Sequence, residues 1–337
     1  MVYRRMISRG FVACTKKAMP ALVAMLAMQL AGPMPQAVAA NYPDHTIKVV
    51  TPFAPGAASD VELRYLAAKM SDALHVGVVV ENRPGSGGVV AGRTVVNAAP
   101  DGYTIAWVGN STAIGVSLFR EPLDPRKVMR PIVGVSEFSN LFVTSEKSKF
   151  HTLQDVITFA RKNPNMLKIG TSGAGTSNNL VAHLFALQSN LKVTIVPYRG
   201  PSELQIAIAR GDIDLLINAY AGLQGVLKAH QARALAITSA KRDPEVPDVP
   251  TMAEAGVPNF VVTSWNAFYG PKGMPPEAVK VLETVVTKIL QQPDTIAKFK
   301  SIGFDATAVP SDQLGKRMEF EIDRWHKVIQ AAGIEKQ

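Results

Sequence analysis

Two periodicities alternate along this chain from residue 47 to its end. Ile47–Phe53 is a β-branched run, and Val49, Val50 and Phe53 suit a buried strand. A Pro-x-x-Pro-Gly turn follows. Leu63, Leu66, Ala67 and Met70 then recur at helical spacing, with Ser59 or Asp60 suited to the N-cap. The same unit returns as strand Val76–Glu81, a Gly-rich loop, and a helix over Val89–Ala98 with Val90, Thr94, Val95 and Ala98 on one side. Tyr103–Val108 is the next strand, ending in the small polar loop Gly109-Asn110-Ser111-Thr112. Pro131–Thr144 is one or two strands.

Thr152 opens a helix with Asp155 in its first turn, stopped at Asn163-Pro164. Strand Leu167–Gly170 leads into a loop, Thr171–Asn179, and a helix through Leu180, Val181, Leu184, Phe185 and Leu187. Strands at Val193–Pro197, Ile213–Ile217 and Ala232–Thr238 alternate with helices at Pro201–Arg210 and Leu223–Ala229. Pro244–Pro258 is a connecting loop with a short helix near Thr251–Ala255. Val261–Tyr269 is extended. Helices at Pro275–Gln291, Asp294–Ile302 and Ser311–Ala332, the last capped by Ser311, complete the chain.

Such alternation defines an α/β fold of parallel or mixed sheets with helices on both faces. The units Pro55–Met70 and Thr171–Leu187 are alike in kind, which implies two comparable lobes. Ligands in such sheets sit at the carboxyl ends of strands. Two ends facing each other make a cleft.

The first 40 residues change the charge picture. Arg4, Arg5, Arg9, Lys16 and Lys17 form a basic leader without an acid. An apolar run to Gly32 and the A-x-A-like Ala37–Ala40 follow. This is the pattern of a cleaved secretory signal peptide, too short for a membrane span. Its removal lowers the formal charge from +9 to roughly +4 and takes away Cys14, the single cysteine. The mature chain, expected in the periplasm, therefore needs no disulfide and has no thiol chemistry. No basic cluster interleaved with aromatics marks a nucleic-acid partner. The six histidines are scattered without metal-ligand spacing, so no metal or other cofactor is expected.

Two loops carry the candidate chemistry. Pro55-Gly56-Ala57-Ala58-Ser59-Asp60 and Ser172-Gly173-Ala174-Gly175-Thr176-Ser177-Asn178 place small and hydroxyl residues before helix N-termini, where unpaired N–H groups favour anions. Gly170–Ala174 approaches a nucleophile elbow but lacks its last glycine. Gly173-Ala174-Gly175 starts a dinucleotide fingerprint, but Asn178 stands at its third glycine. His183 is assigned to the surface. Asp212 and Asp214 are assigned to solvent or a turn, Trp107 and Trp325 to packing, and Trp265 equally to core or cleft wall.

A run of motifs in order carries a family resemblance over Tyr42–Lys336. They are Tyr42-Pro43 with Ile47–Val50, Pro52–Gly56 with Asp60, Val80–Gly85 with Gly87-Gly88, and Ala99–Thr104. Later come Val196–Gly200, Ala234–Ser239, Val246–Thr251 with Glu254–Gly256, and Ala331–Ile334 after Trp325. The chain resembles the substrate-binding proteins of tripartite tricarboxylate transporters, the Bug/TctC type. The resemblance implies a type II-like periplasmic binding protein fold with two lobes, 41–142 with 266–337 and 143–265, closing over a ligand. It implies a monomer that hands a small carboxylate to a permease of one large and one small membrane subunit. It places ligand contacts at Pro55 to Asp60, Ser111, Ser172 to Asn178, Gly200, Asn218 and Trp265. Ala57-Ala58 replaces the family's usual Gly-Gly, and Asn218-Ala219 replaces its frequent Asp-Asn, which argues against an amino-acid ligand. Two alternatives share the sequence: a periplasmic sensor subunit with the same fold, and an exported hydrolase using Ser172, for which no paired His and acid is recognisable.

Overall fold

The computed structural model describes residues 42–337 apart from Ala174, Gly175 and Arg199; the leader assigned to residues 1–40 lies outside the described residues. The first unit forms as its pattern requires. In β1 (Ile47–Thr51) Ile47, Val49 and Val50 are buried. In α1 (Ala58–Leu74) Leu63, Leu66, Ala67 and Met70 form the buried stripe. Its N-cap is Ala57 rather than Ser59 or Asp60, because Asp60 turns back from the first helical turn to accept from the Gly56 N–H at 2.9 Å.

β2 (Val78–Asn82), α2 (Val89–Val96), β3 (Thr104–Gly109) and α3 (Asn110–Leu118) follow. α2 buries Ala91, Gly92 and Val95, while Val90, expected on the inner face, is 42% exposed. Residues 109–112, expected as a loop, instead begin α3. A Cβ at Gly109 would lie 2.6 Å from the Trp265 carbonyl, so the turn into this helix tolerates only glycine.

After the short α4 (Pro125–Val128) comes β4 (Met129–Ser145), one unbroken 17-residue strand. Then follow α5 (Leu153–Lys162), β5 (Lys168–Ser172), α6 (Ser177–Gln188), β6 (Thr194–Tyr198), α7 (Pro201–Arg210), β7 (Leu215–Ala219), α8 (Gln224–Lys228) and β8 (Ala232–Ile237). α5 starts in a full capping box between Thr152 and Asp155. Thr251 makes a single bridge to Ile237 at the end of β8, and residues 252–256 then form turns, not a helix. The chain ends with β9 (Thr263–Pro271), α9 (Pro276–Leu290), α10 (Pro293–Ser301), β10 (Asp305–Pro310) and α11 (Ser311–Ala331), whose N-cap is Pro310 rather than Ser311. β10 has no apolar alternation and was invisible to periodicity. Its ladder with β4 makes it a strand.

The strands run β2-β1-β3-β9-β4-β7-β5-β6, with β8 and β10 also paired to β4. β4 joins two halves of this curled sheet. Through Ser139 it pairs with β9, and from Asn140 onward with β7. In the first half β1, β2 and β3 are parallel; in the second β5, β6 and β7 are. Helices cover both halves around an apolar core. Trp107 stacks edge-on against Phe268 at 4.9 Å, and Phe142, Phe185 and Phe260 pack together in the second half. α11 lies on both α3 and α6, burying Met318, Ile322 and Trp325. Trp107 and Trp325 thus pack as expected.

Candidate functional site

The described site residues other than Trp265 stand at or just after the carboxyl ends of parallel strands. The loop after β1 leads into α1, Gly109 at the end of β3 into α3, residues 173–176 after β5 into α6, and Gly200 after β6 into α7. Asn218 stands near the end of β7. What brings three of these helix starts together is β9. Ser264 and Asn266 are two residues apart, so they share a face and are spaced about 7 Å along the strand. Both are buried. Ser264 Oγ lies 3.2 Å from Ser177 Oγ of α6 and 3.4 Å from Asn110 Nδ2 of α3, and Asn110 Nδ2 lies 3.4 Å from Ser177 Oγ. Asn266 Nδ2 donates to Ser59 Oγ of α1 at 3.2 Å.

The first loop is held by charge. Asp60 is 1% exposed. Its Oδ2 accepts from the Gly56 N–H and from Arg64 Nε, both at 2.9 Å; its Oδ1 accepts from Asn82 Nδ2 at 2.7 Å. Asn82 Nδ2 also donates to the Phe53 carbonyl. Burial works against ionisation of Asp60, but the Arg64, Asn82 and Gly56 donors outweigh it and hold the carboxyl below its usual range. Both oxygens are therefore engaged within the loop. Asp60 shapes the loop and does not present an acceptor to an anion. Beneath it, Glu62 is fully buried and pushed up to about 8 by desolvation, which the bonds from Ser136 and Asn266 only partly offset. At neutral pH Glu62 is mostly protonated, so no unpaired negative charge faces the site from this side.

The second loop is held by neutral groups. Asn178 Nδ2 donates to Ser172 Oγ at 3.1 Å and to the Ile217 carbonyl at 3.2 Å, while Thr176 Oγ1 donates to Asn178 Oδ1 at 2.7 Å. Asn179 Nδ2 donates to Thr171 Oγ1 at 3.0 Å. Ser172 and Asn178 thus lock the loop to β7. Among the described residues the Ser172 hydroxyl meets the Asn178 amide, which is not a base. Ala174 and Gly175 lie outside the described residues.

What remains free is backbone. The N–H groups of Ala58 and Ser59 at α1, and of Ser177 and Asn178 at α6, have no acceptor among the described residues. A Cβ at Gly56, Gly173 or Gly200 would enter open space. Gly56 also adopts φ +80°, where the loop needs glycine. Ser111, in the first turn of α3, is half-buried. Asn218 Oδ1 accepts from the Ala219 N–H at 2.9 Å.

Trp265 is not part of this face. It lies between Ser264 and Asn266 and points to the opposite side of β9. There it is 2% exposed, with the Arg317 guanidinium 5.5 Å from its ring centre. The even division between core and cleft wall resolves to core. His183, assigned to the surface, is half-buried on α6 beside Asn179 and Pro197, and desolvation lowers its pKa. Asp212 is exposed, and Asp214 accepts from the Lys168 N–H at 2.9 Å. Residues that sequence reasoning passed over are Asn110, Ser264, Asn266 and Glu62. Asn110 sat inside a loop already singled out, and the i,i+4 spacing of Asp60 and Arg64 was a legible pair. The polar residues of β9 gave no signal.

The sequence profile of the tripartite tricarboxylate transporter family receptor matches residues 63–334, and the chain belongs to this family. Its members are binding proteins, not enzymes. Protein BugT of Bordetella pertussis is 31% identical over 296 residues, 87% of this chain and 91% of that one. A UPF0065 protein from the tcbD-tcbE intergenic region of Pseudomonas sp. strain P51 is 34% identical over 292 residues, 86% of each chain. Among solved structures, R. palustris Rpa4515 with adipate is 30% identical with TM-score 0.77, covering 88% of this chain and 100% of that one. MatC from Rhodopseudomonas palustris with bound malate is 28% identical with TM-score 0.71, covering 86% and 100%. The fold is that of the periplasmic binding proteins. No helix among the described residues is long and apolar enough to cross a membrane.

Proposed function

We propose that this chain captures a small carboxylate between the two sheet halves and hands it to a tripartite tricarboxylate permease. The observation that carries this reading is the convergence of α1 and α6 on one face of β9 through Ser59–Asn266 and Ser177–Ser264. Two helix starts with free N–H groups are thereby brought to one place, each with the positive end of its dipole. The hydroxyl of Ser111, the amide of Asn218 and the open backbone at Gly200 complete the set of neutral contacts. No cation is needed, since backbone donors and ordered water suffice for a carboxylate. Ligand bound in adipate and malate complexes of relatives supports the class.

The two halves serve as lobes, changing at Ser139/Asn140 and Val262/Thr263, and closure buries the ligand. The basic leader and apolar run of residues 1–40 direct export, which puts capture in the periplasm, upstream of one large and one small membrane subunit. A thermal-shift and calorimetric screen of the mature protein with adipate, malate and related acids tests this. A ligand at 100 times its dissociation constant adds about 2.7 kcal/mol of stability. Shifts with neutral sugars or amines but with no carboxylate would overturn the reading.

A further inference from the structure

Both strands that pass between the sheet halves are held by one side chain from outside the sheet. β4 leaves the first half at Ser139, and the returning chain, bonded through Val262 N–H to the Thr238 carbonyl at 2.9 Å, enters β9 at Thr263. Ser139 and Thr263 are register partners, as are Glu137 and Trp265. Arg317 of α11 donates from one terminal nitrogen to Glu137 Oε1 on β4, and from the other to Thr263 Oγ1 on β9 at 3.0 Å. Its guanidinium also faces the Trp265 ring. The Arg317 side chain is 18% exposed and that of Glu137 30%, so water competes weakly for the pair. α11 itself packs on α3 from the first half and α6 from the second.

We propose that Arg317 sets the angle between the two sheet halves and is thereby a positioning residue for ligand capture. A planar guanidinium fixes two acceptors on adjacent strands at once, in a geometry an ammonium group cannot reproduce. Both acceptors lie on the first-half side of the crossing, close to where β4 changes partner, while α11 also packs on α6 of the second half, so a rotation of the second half is resisted by the clamp through α11. Its consequence for binding rests on the carboxylate function proposed above; its effect on the halves does not.

The test is made on the mature, ligand-free protein. It has no cysteine, so nitroxide labels at V90C and I206C, both exposed and one in each half, are specific. Pulsed EPR is expected to give a narrow distance distribution in the labelled parent. It should broaden in the double variant Glu137→Gln/Arg317→Met, which removes both partners of the ion pair together, and to an intermediate degree in Arg317→Lys. Stopped-flow measurements with adipate should show dissociation about tenfold faster with association within about twofold. A broad parent distribution, or an unchanged one in a double variant with native near-UV circular dichroism, overturns the proposal. Should the double variant lose its native spectrum, Thr263→Val, which removes a single hydroxyl, must broaden the distribution, and no broadening overturns it equally. Broadening, with no carboxylate of the screen bound by the parent, keeps the clamp and removes the carboxylate reading. Normal binding with an unchanged distribution does the reverse.

Discussion

The two loops that open onto the candidate site look alike in sequence and are built on different physics. Pro55–Asp60 is braced by an ionised, buried carboxylate shared among Gly56, Arg64 and Asn82. The loop before α6 is braced by amides and hydroxyls alone: Asn178 to Ser172, Thr176 to Asn178, Asn179 to Thr171. The first loop therefore titrates and the second does not. In the proposed site a carboxylate would meet both loops only because the Asp60 charge is consumed within its own loop. Left unpaired beside the ligand it would repel it.

The largest expected effect is loss of the charged brace. Asp60→Ala leaves the Gly56 N–H and the Asn82 amide without their acceptor, while the half-exposed Arg64 is released to solvent, and should cost about 3 kcal/mol in urea unfolding, with adipate binding lost as the loop reorganises. A cost near zero would show that the brace is incidental.

Next comes pH. The Asp60 carboxyl is held below its usual range, so its contribution is present above the ordinary carboxylate pKa and is lost as pH falls through the folded value. Glu62 behaves oppositely. Its folded pKa, about 8, lies above the unfolded value of 4.5, so the native state keeps a proton that the unfolded chain releases. Stability is therefore greatest below pH 4.5 from this group and falls as pH rises toward 8. At about 1.4 kcal/mol per pH unit, wild type should lose about 3 kcal/mol between pH 5 and 8, and Glu62→Gln should not. Parallel pH profiles for the two proteins would refute the assignment.

A smaller effect is expected in the neutral loop. Asn178→Ala removes hydrogen bonds without stranding a charge, so about 1–2 kcal/mol should be lost, with no change in the shape of the pH profile. Hydrogen exchange at residues 173–180 reports it directly. The smallest stability effect belongs to Gly200→Ala. Its φ of −161° suits any residue and the added methyl enters open space, so stability should change by less than about 0.5 kcal/mol. Binding of adipate should nevertheless weaken, because the proposed site has the ligand meet backbone in that space. Unchanged affinity would move the site away from α7.

Much of the scaffold was legible from residues alone. The stripe Leu63, Leu66, Ala67, Met70 is buried as its spacing demands, the Thr152–Asp155 box starts α5, and α7 runs from Pro201 to Arg210 as expected. Misplaced elements share one cause. α3 begins where polar residues imitate a loop, because Gly109 must pass close to Trp265. β10 is a strand because β4 offers it a ladder, without any apolar pattern of its own. Short polar segments carry little local preference, so a neighbouring backbone decides them.

The site divides along the same line. Local sequence determined that two small-residue loops precede helix N-termini, since strand, turn and helix signals all act within a few residues. Only the tertiary structure decided that these termini meet. Ser177 and Ser264 are 87 positions apart in the chain, and Ser59 and Asn266 are 207. It also decided that Asp60 faces inward and that Trp265 turns to the core. Hydrogen bonds over such separations depend on where β9 inserts between β3 and β4, and insertion is fixed by the packing of the whole sheet and not by any residue in the loops.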